Sequence, residues 1–426
     1  MNPRHPPIPI ALGTWALGAL LYLAGYFQRN APAVLTSELS TEFALGAAGL
    51  GNLAAIYFYA YAAMQIPTGV LLDHYGPRRV LAIGSAVAAL GTFVFAFSSS
   101  YAFVSVGRFA IGASVGVAFV GMLKLASRWA HPSKFATLTG LALTMGVVGG
   151  VSAGVPLRIG TDLFGWRNVM IGAGIATTAL AIAIWLLVRD DPSERGFKSF
   201  ASMPAATKPR QGMLGGIVEA LRYRNVWITF LGCGAISGPP LAFSGLWGVP
   251  FLVQQYGMNA QSAALVTSIL LIAWAIAGPF AGLISDRLRR RKALIAGGGM
   301  MATLFWAILI WVPGLPYWLL IVVVAGTGIT SSVVMLGFAF AKESAPVELV
   351  GTVSGIANMG NMLAGTIMQP LIGIVLDAMW RGTVADDIRV YDLAAWQAGF
   401  SIMIAWILAG SLMMLLARET YCRQTV

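Results

Sequence analysis

Three cations stand inside long apolar stretches of this 426-residue chain: Arg29, Arg108 and Lys124. An ionised group at membrane depth costs roughly 2.5–3.5 kcal/mol on insertion scales, so each is a candidate for function. Every Asp and Glu falls in a loop or at the end of an apolar stretch, and His5, His74 and His131 lie outside these stretches. A cavity that presents only positive charge draws in an anion and repels a cation. Arg29 closes the segment Tyr22-Leu-Ala-Gly-Tyr26-Phe-Gln-Arg29, in which Tyr22 and Tyr26 share its helical face. Its guanidinium could fork onto a carboxylate or a phosphate, or could snorkel to the outer interface. Lys124 either completes the anion site or marks the cytoplasmic end of its helix.

Polar and aromatic faces surround these cations in the sequence. Tyr57, Tyr61 and Gln65 recur every fourth residue, and Asn358, Asn361 and Gln369 share one helical face with Gly365. In lipid such faces turn inward, either to line a water-filled cavity or to hold helices together by hydrogen bonds and small-residue packing. No nucleophile-and-base pair, metal-ligand cluster or phosphate-cradling loop stands out, so the expectation is no enzyme, no metal and no cofactor. Cys233 and Cys422 form no disulfide framework.

The elements that must position these residues are membrane helices. The chain is 58% hydrophobic and only 10% charged, whereas soluble domains carry about a quarter charged residues. Apolar stretches long enough to cross a bilayer predict twelve spans, at about 10–36, 50–72, 80–99, 102–126, 135–159, 167–188, 226–253, 262–284, 293–312, 316–341, 350–377 and 394–417. The first is long and lacks a small-residue cleavage pattern, so it reads as an uncleaved span. A net charge of +11 raises the question of nucleic acid, which the placement of the charges answers. With both termini in the cytoplasm, only Arg158, Arg167, Arg381 and Arg389 fall outside; apart from the three cations in spans, every other Lys and Arg is inside. That asymmetry marks a membrane protein and leaves no folded basic domain for nucleic acid.

The chain also repeats itself. Gly69-Val-Leu-Leu-Asp73-His-Tyr-Gly-Pro-Arg78-Arg79 after span 2 is matched by Gly282-Leu-Ile-Ser-Asp286-Arg-Leu-Arg-Arg-Arg291-Lys292 after span 8, 213 residues on and half the chain length. Thr137 to Gly140, Pro156, Asp162 and Trp166-Arg167 are matched by Thr352 to Gly355, Pro370, Asp377 and Trp380-Arg381 at an offset of 214 or 215. Duplicated halves are a mark of transporter folds. The expected architecture is an all-α membrane protein of twelve transmembrane helices in two six-helix bundles: residues 1–188, a cytoplasmic linker at 189–225, and residues 226–426.

The Gly-x-x-x-Asp-x-x-x-x-Arg-Arg/Lys loops resemble the signature between helices 2 and 3, and again between helices 8 and 9, of the major facilitator superfamily. Gly107-Arg108-Phe-Ala-Ile-Gly112 is similar to the helix-4 Arg motif of that superfamily, and Gly146 to Pro156 to its helix-5 motif. The resemblance implies a secondary transporter in which Asp73, Arg78, Arg79, Asp286, Arg291 and Lys292 latch the cytoplasmic side and Arg108 is structural. Helix 1 around Arg29 resembles the glycerol-3-phosphate/phosphate antiporter group, whose Arg there binds phosphate and which carries a matching Arg in helix 7. Here residues 232–250, including Pro239, Pro240 and Trp247, contain no cation, so a carboxylate is the better expectation than a doubly charged phosphate ester. Trp247 is a further candidate contact, because this stretch and the Tyr-rich helix 2 look like a set of bacterial permeases labelled sugar-phosphate or amino-acid transporters.

Pulling an anion inward against the membrane potential costs about 2.3 kcal/mol per charge per 100 mV, so uptake needs a counter-anion or a proton. Exchange of organic anions is the expectation, by rocking of helices 1–6 against 7–12 in a monomer of the bacterial inner membrane. Proton symport stays open if the substrate itself is protonated, or if Glu38, Glu343 or Asp377 lies deeper than drawn. An amino-acid or peptide permease, a multidrug exporter and a non-transporting solute sensor stay open.

Overall fold

The computed structural model describes residues 5–131, 134–200, 218–346, 349–385 and 388–424. It is helical almost throughout: α1 Ile8–Val34, α2 Thr36–Phe43, α3 Ala47–Phe97, α4 Tyr101–Trp129, α5 Phe135–Ser152, α6 Val155–Phe164 and α7 Trp166–Leu187. The second half runs α8 Arg224–Ala242, α9 Gly248–Tyr256, α10 Ala260–Leu288, α11 Lys292–Trp311, α12 Tyr317–Ser331, α13 Leu336–Glu343, α14 Val350–Ala378 and α15 Leu393–Leu415. A two-residue hairpin, β1 Val384–Ala385 with antiparallel β2 Ile388–Arg389, lies between α14 and α15. Among the described residues eleven helices are long and apolar enough to cross a membrane, or twelve if Thr36–Phe43 and Ala47–Gln65, bent by 114°, count as one.

Local chemistry sets the breaks. Ser100, Asn259 and Asp392 each accept a backbone N–H three residues on, capping α4, α10 and α15. The expected spans 2 and 3 run on as α3, whose only non-helical residue is Gly76 at φ 79°, a left-handed value that suits glycine. A Cβ at Gly76 would lie 2.5 Å from the Asp190 carboxylate. Span 7 is broken where Pro239 and Pro240 withhold their N–H groups. The chain there passes from α8 through a π-helical turn, Phe243–Trp247, into α9.

The chain forms two compact units. One contains residues 1–31 and 56–208, the other residues 32–55 and 209–426. The division differs from a simple split into halves because the end of α1, all of α2 and the start of α3 group with the second half. Asp377 contributes to this attachment. Its carboxylate accepts the N–H groups of Ala47 and Ala48 at 3.0 and 2.8 Å, the Tyr391 hydroxyl at 2.8 Å and Arg389 Nη1 at 3.1 Å. A carboxylate suits the partly positive start of a helix. Burial, and then the neighbouring Asp377 carboxylate, push the Tyr391 hydroxyl well above the usual phenol range, which keeps it a donor.

Asp377→Ala removes the acceptor of all four bonds and is expected to lower stability by about 1–2 kcal/mol. Tyr391→Phe removes the donor to Asp377 and an acceptor of the Ala47 N–H, and costs about 1 kcal/mol. Thermal midpoints of the two purified variants give the comparison.

Candidate anion site

Arg29 lies on α1 and is only 6% exposed. Its guanidinium carbon stands 4.8 Å from the centre of the Tyr26 ring, one turn back, and 4.9 Å from the Phe58 ring of α3. The electron-rich ring faces stabilise a cation that water does not reach. Arg108 of α4 is 2% exposed; it stands 5.2 Å from the Tyr57 ring and donates from Nη1 to the Gln28 carbonyl at 2.6 Å. The two cations therefore pack on consecutive side chains of α3, Phe58 and Tyr57.

Four tyrosines belong to the same cluster. The Tyr22 hydroxyl donates to that of Tyr26 at 3.1 Å, with the rings edge to face at 4.8 Å. Tyr57 is stacked on Tyr61 at 6.3 Å, and its hydroxyl donates to the Gly25 carbonyl at 3.3 Å. Tyr22 also touches Phe119 of α4. Glycine makes room for the tyrosine pair: a Cβ at Gly146 of α5 would sit 2.8 Å from Tyr22 and 3.3 Å from Tyr26. Gln65 is half-buried two turns along α3 from Tyr57. The cluster thus holds two fixed positive charges and several hydroxyl groups within an aromatic shell, a combination suited to an anion with hydrogen-bond acceptors.

Lys124 does not join it. On α4 it stands sixteen residues beyond Arg108, about 24 Å along the axis, and its Nζ donates to the Leu72 carbonyl at 2.7 Å beside the Gly69–Arg79 motif. The expectation that Lys124 completes the Arg29 site is corrected on this geometry. In the second unit, Asn361 and Gln369 of α14, expected as contacts, make hydrogen bonds to a neighbouring helix. Ser237 Oγ stands 2.9 Å from the Gly234 carbonyl oxygen and 3.2 and 3.3 Å from the carbonyl and side-chain oxygens of Asn361, while Gln369 donates to the Leu241 carbonyl at 3.4 Å. Trp247 donates to the Gln369 carbonyl at 3.0 Å. These bonds follow from a close approach of α8 and α14, where a Cβ at Gly234 would meet the Gly360 carbonyl oxygen at 2.7 Å. Asn358 is half-buried on the same helix. Trp247 also lines a cavity of about 140 Å³ with Ser37, Gln254, Arg389 and Tyr391.

The two Gly-x-x-x-Asp motifs are tied down by carboxylates that sequence reasoning did not single out. Arg78 donates its backbone N–H to Asp190 at 2.6 Å and its Nε to the Trp185 carbonyl at 2.9 Å, while Arg79 is exposed. The side chain of Asp73 lies outside the described residues. In the second half, Glu419 accepts the backbone N–H groups of Arg291, Lys292 and Ala293 at the start of α11. Arg291 also pairs with Asp286 at 2.8 Å and Glu343 at 3.0 Å. In each half, then, a carboxylate that follows the sixth span caps the helix that follows the motif. Each such bond lies inside one unit, so Arg78 and Arg291 hold their own bundle together. Glu343 is bound at a helix end, and Asp377 likewise.

Comparison with known proteins gives a consistent family. The model described as "Major Facilitator Superfamily" matches residues 17–368 and 241–422. The chain is 24% identical to the uncharacterized transporter YybO of Bacillus subtilis, with 92% of each chain covered. It is 22% identical to the probable sulfoacetate transporter SauU of Cupriavidus necator, over 84% of this chain and 85% of that one. It is 25% identical to the probable galactarate/D-glucarate transporter GudP of Escherichia coli, over 82% and 84%. Among solved structures, a bacterial homolog of the human lysosomal transporter Spinster, inward-facing and unoccupied, superposes with a TM-score of 0.78 at 15% identity, covering 96% of this chain and 97% of that one. The nucleoside transporter NupG superposes with a TM-score of 0.72 at 14% identity, covering 95% and 99%. At such identities the superpositions speak for the fold.

The packing of the tyrosine pair can be tested without a ligand. Gly146→Ala is expected to displace it and destabilise the protein by about 1–3 kcal/mol, whereas Gly140→Ala, with open space at its Cβ position, is tolerated. Thermal unfolding of both variants in detergent measures the difference.

Proposed function

The chain belongs to the Major Facilitator Superfamily, and from that premise we propose that it carries a small organic anion across a bacterial inner membrane, with a carboxylate of the anion seated on Arg29. As a member of that superfamily it is a multi-pass membrane transporter and not an enzyme. The observation that carries the proposal is the placement of Arg29 and Arg108 in one aromatic cluster with the hydroxyls of Tyr22 and Tyr26. Fixed positive charge in a site shielded from water selects for negative charge. The relatives support the same class, because the names of two of them give sulfoacetate and galactarate or D-glucarate as cargo, each a small organic anion. With Lys124 remote, Arg29 supplies the anchoring charge, and Arg108 adds positive potential beside it.

Transport follows by alternating access, with helices 1–6 rocking against helices 7–12, in a monomer whose termini both face the cytoplasm. Exchange for a second anion is the mode we favour. It avoids the cost of moving net charge against the membrane potential, about 2.3 kcal/mol per charge per 100 mV. It also needs no proton carrier, and the carboxylates Glu343 and Asp377 are engaged at helix ends.

Thermal stabilisation of the purified protein by a panel of D-glucarate, sulfoacetate, simple monocarboxylates, phosphate esters, amino acids and cationic drugs tests the assignment. An organic acid is expected to raise the midpoint, and Arg29→Ala to weaken its binding by at least about 30-fold. Lys124→Met is expected to leave the affinity within about twofold, since a charge so remote is screened. Stabilisation by amines or cations alone, or an unchanged anion affinity in Arg29→Ala, contradicts the proposal.

A further inference from the structure

In an α-helix the N–H of each residue meets the carbonyl four residues back. Pro32 lies inside α1 and has no N–H, so the carbonyl it would have met, that of Gln28, loses its partner within the helix. In a membrane-spanning segment a backbone group left unmet is costly, because no water is at hand to replace the bond. Arg108 meets this carbonyl from α4: its Nη1 stands 2.6 Å from the Gln28 oxygen, a short charge-assisted bond. The Gln28 side chain, 1% exposed, is held as well, since its Nε2 donates to Thr92 Oγ1 of α3 at 2.8 Å. Thr92 in turn donates to the Ala88 carbonyl at 2.7 Å, which leaves its lone pairs facing Gln28. Residue 28 is therefore fixed through both its carbonyl and its amide, one position before Arg29. Four residues further on, between Ala31 and Pro32, the chain passes from one compact unit to the other.

We infer that Arg108 is a positioning residue whose guanidinium takes the place of the donor missing at Pro32. With the Gln28–Thr92 bond it clamps the turn of α1 that carries Arg29. Pro32, freed from the helical ladder, is left as the flexion point for the chain beyond. The clamp itself is independent of cargo; its consequence for transport rests on the reading of Arg29 as the anion anchor.

A double-mutant cycle on the ligand-free protein separates this role from others. Arg108→Met alone is expected to lower the thermal midpoint by about 2–4 °C. In a Pro32→Ala background the new N–H of residue 32 takes the Gln28 carbonyl, and the same Arg108→Met change should cost less than half as much. An equal cost in both backgrounds overturns the inference. If Arg108→Met by itself yields no folded protein, recovery of folded protein in Pro32→Ala/Arg108→Met supports the inference, and no recovery counts against it. The second arm uses D-glucarate uptake into proteoliposomes. Thr92→Val leaves both arginines in place and removes the Gln28 acceptor, so KM should rise about 3- to 10-fold with the maximal rate within about twofold. An unchanged KM overturns the positioning role. Absence of D-glucarate uptake by the unaltered protein would count against the cargo assignment, and the stability cycle would still decide the clamp.

Discussion

A guanidinium inside a bilayer-crossing helix must stay charged among apolar groups, because arginine does not give up its proton in a protein. Around Arg29 this demand is met by ring faces in place of water. Tyr26 comes from its own helix and Phe58 from α3, and Arg108 adds a second charge beside Tyr57. Rings can be brought so near only where backbones approach closely. At Gly112 of α4 a Cβ would lie 2.1 Å from the Tyr57 carbonyl oxygen, and at Gly146 of α5 it would strike Tyr22. The glycines, the tyrosines and the two arginines are thus parts of one arrangement, in which small residues in α4 and α5 allow large ones in α1 and α3 to enclose charge.

Charge elsewhere in the molecule obeys a different rule. Among the described residues, three acidic groups cap helix starts: Asp190 ahead of the second half of α3, Glu419 ahead of α11, Asp377 ahead of the first half of α3. Arg291, with Asp286 and Glu343, ties together the ends of three helices. This sorting leaves the cationic cluster with the electrostatic character of the apolar interior of the first bundle. It is also why exchange fits the chain better than a cycle driven by protonation of a carboxylate.

Much of this was legible in the sequence, because hydrophobic length and periodicity report directly on the number of spans and on which residues share a helical face. Tyr22, Tyr26 and Arg29 lie together as their spacing requires, and so do Tyr57 and Tyr61. What spacing could not convey was depth and partner. Lys124, like Arg108, stands in an apolar stretch of sequence, yet one turn of helix after another carries it to the far end of α4. Asn361 and Gln369 share a polar face, but that face meets α8 through glycine contacts that only the packed structure displays. The carboxylates Asp190 and Glu419 lie more than a hundred residues from the helix starts they cap, so no local pattern announces them. Gln28 left one sign, its place four residues before Pro32, which marks a carbonyl in need of a donor without saying which side chain supplies it.

The most direct test of the account is counterflow in proteoliposomes. Vesicles loaded with unlabelled D-glucarate and then exposed to a trace of labelled D-glucarate should accumulate the label transiently, whereas empty vesicles and vesicles containing Arg29→Ala should not. Label uptake that is equal with and without internal anion, or that persists in Arg29→Ala, would contradict an anion exchanger built on Arg29.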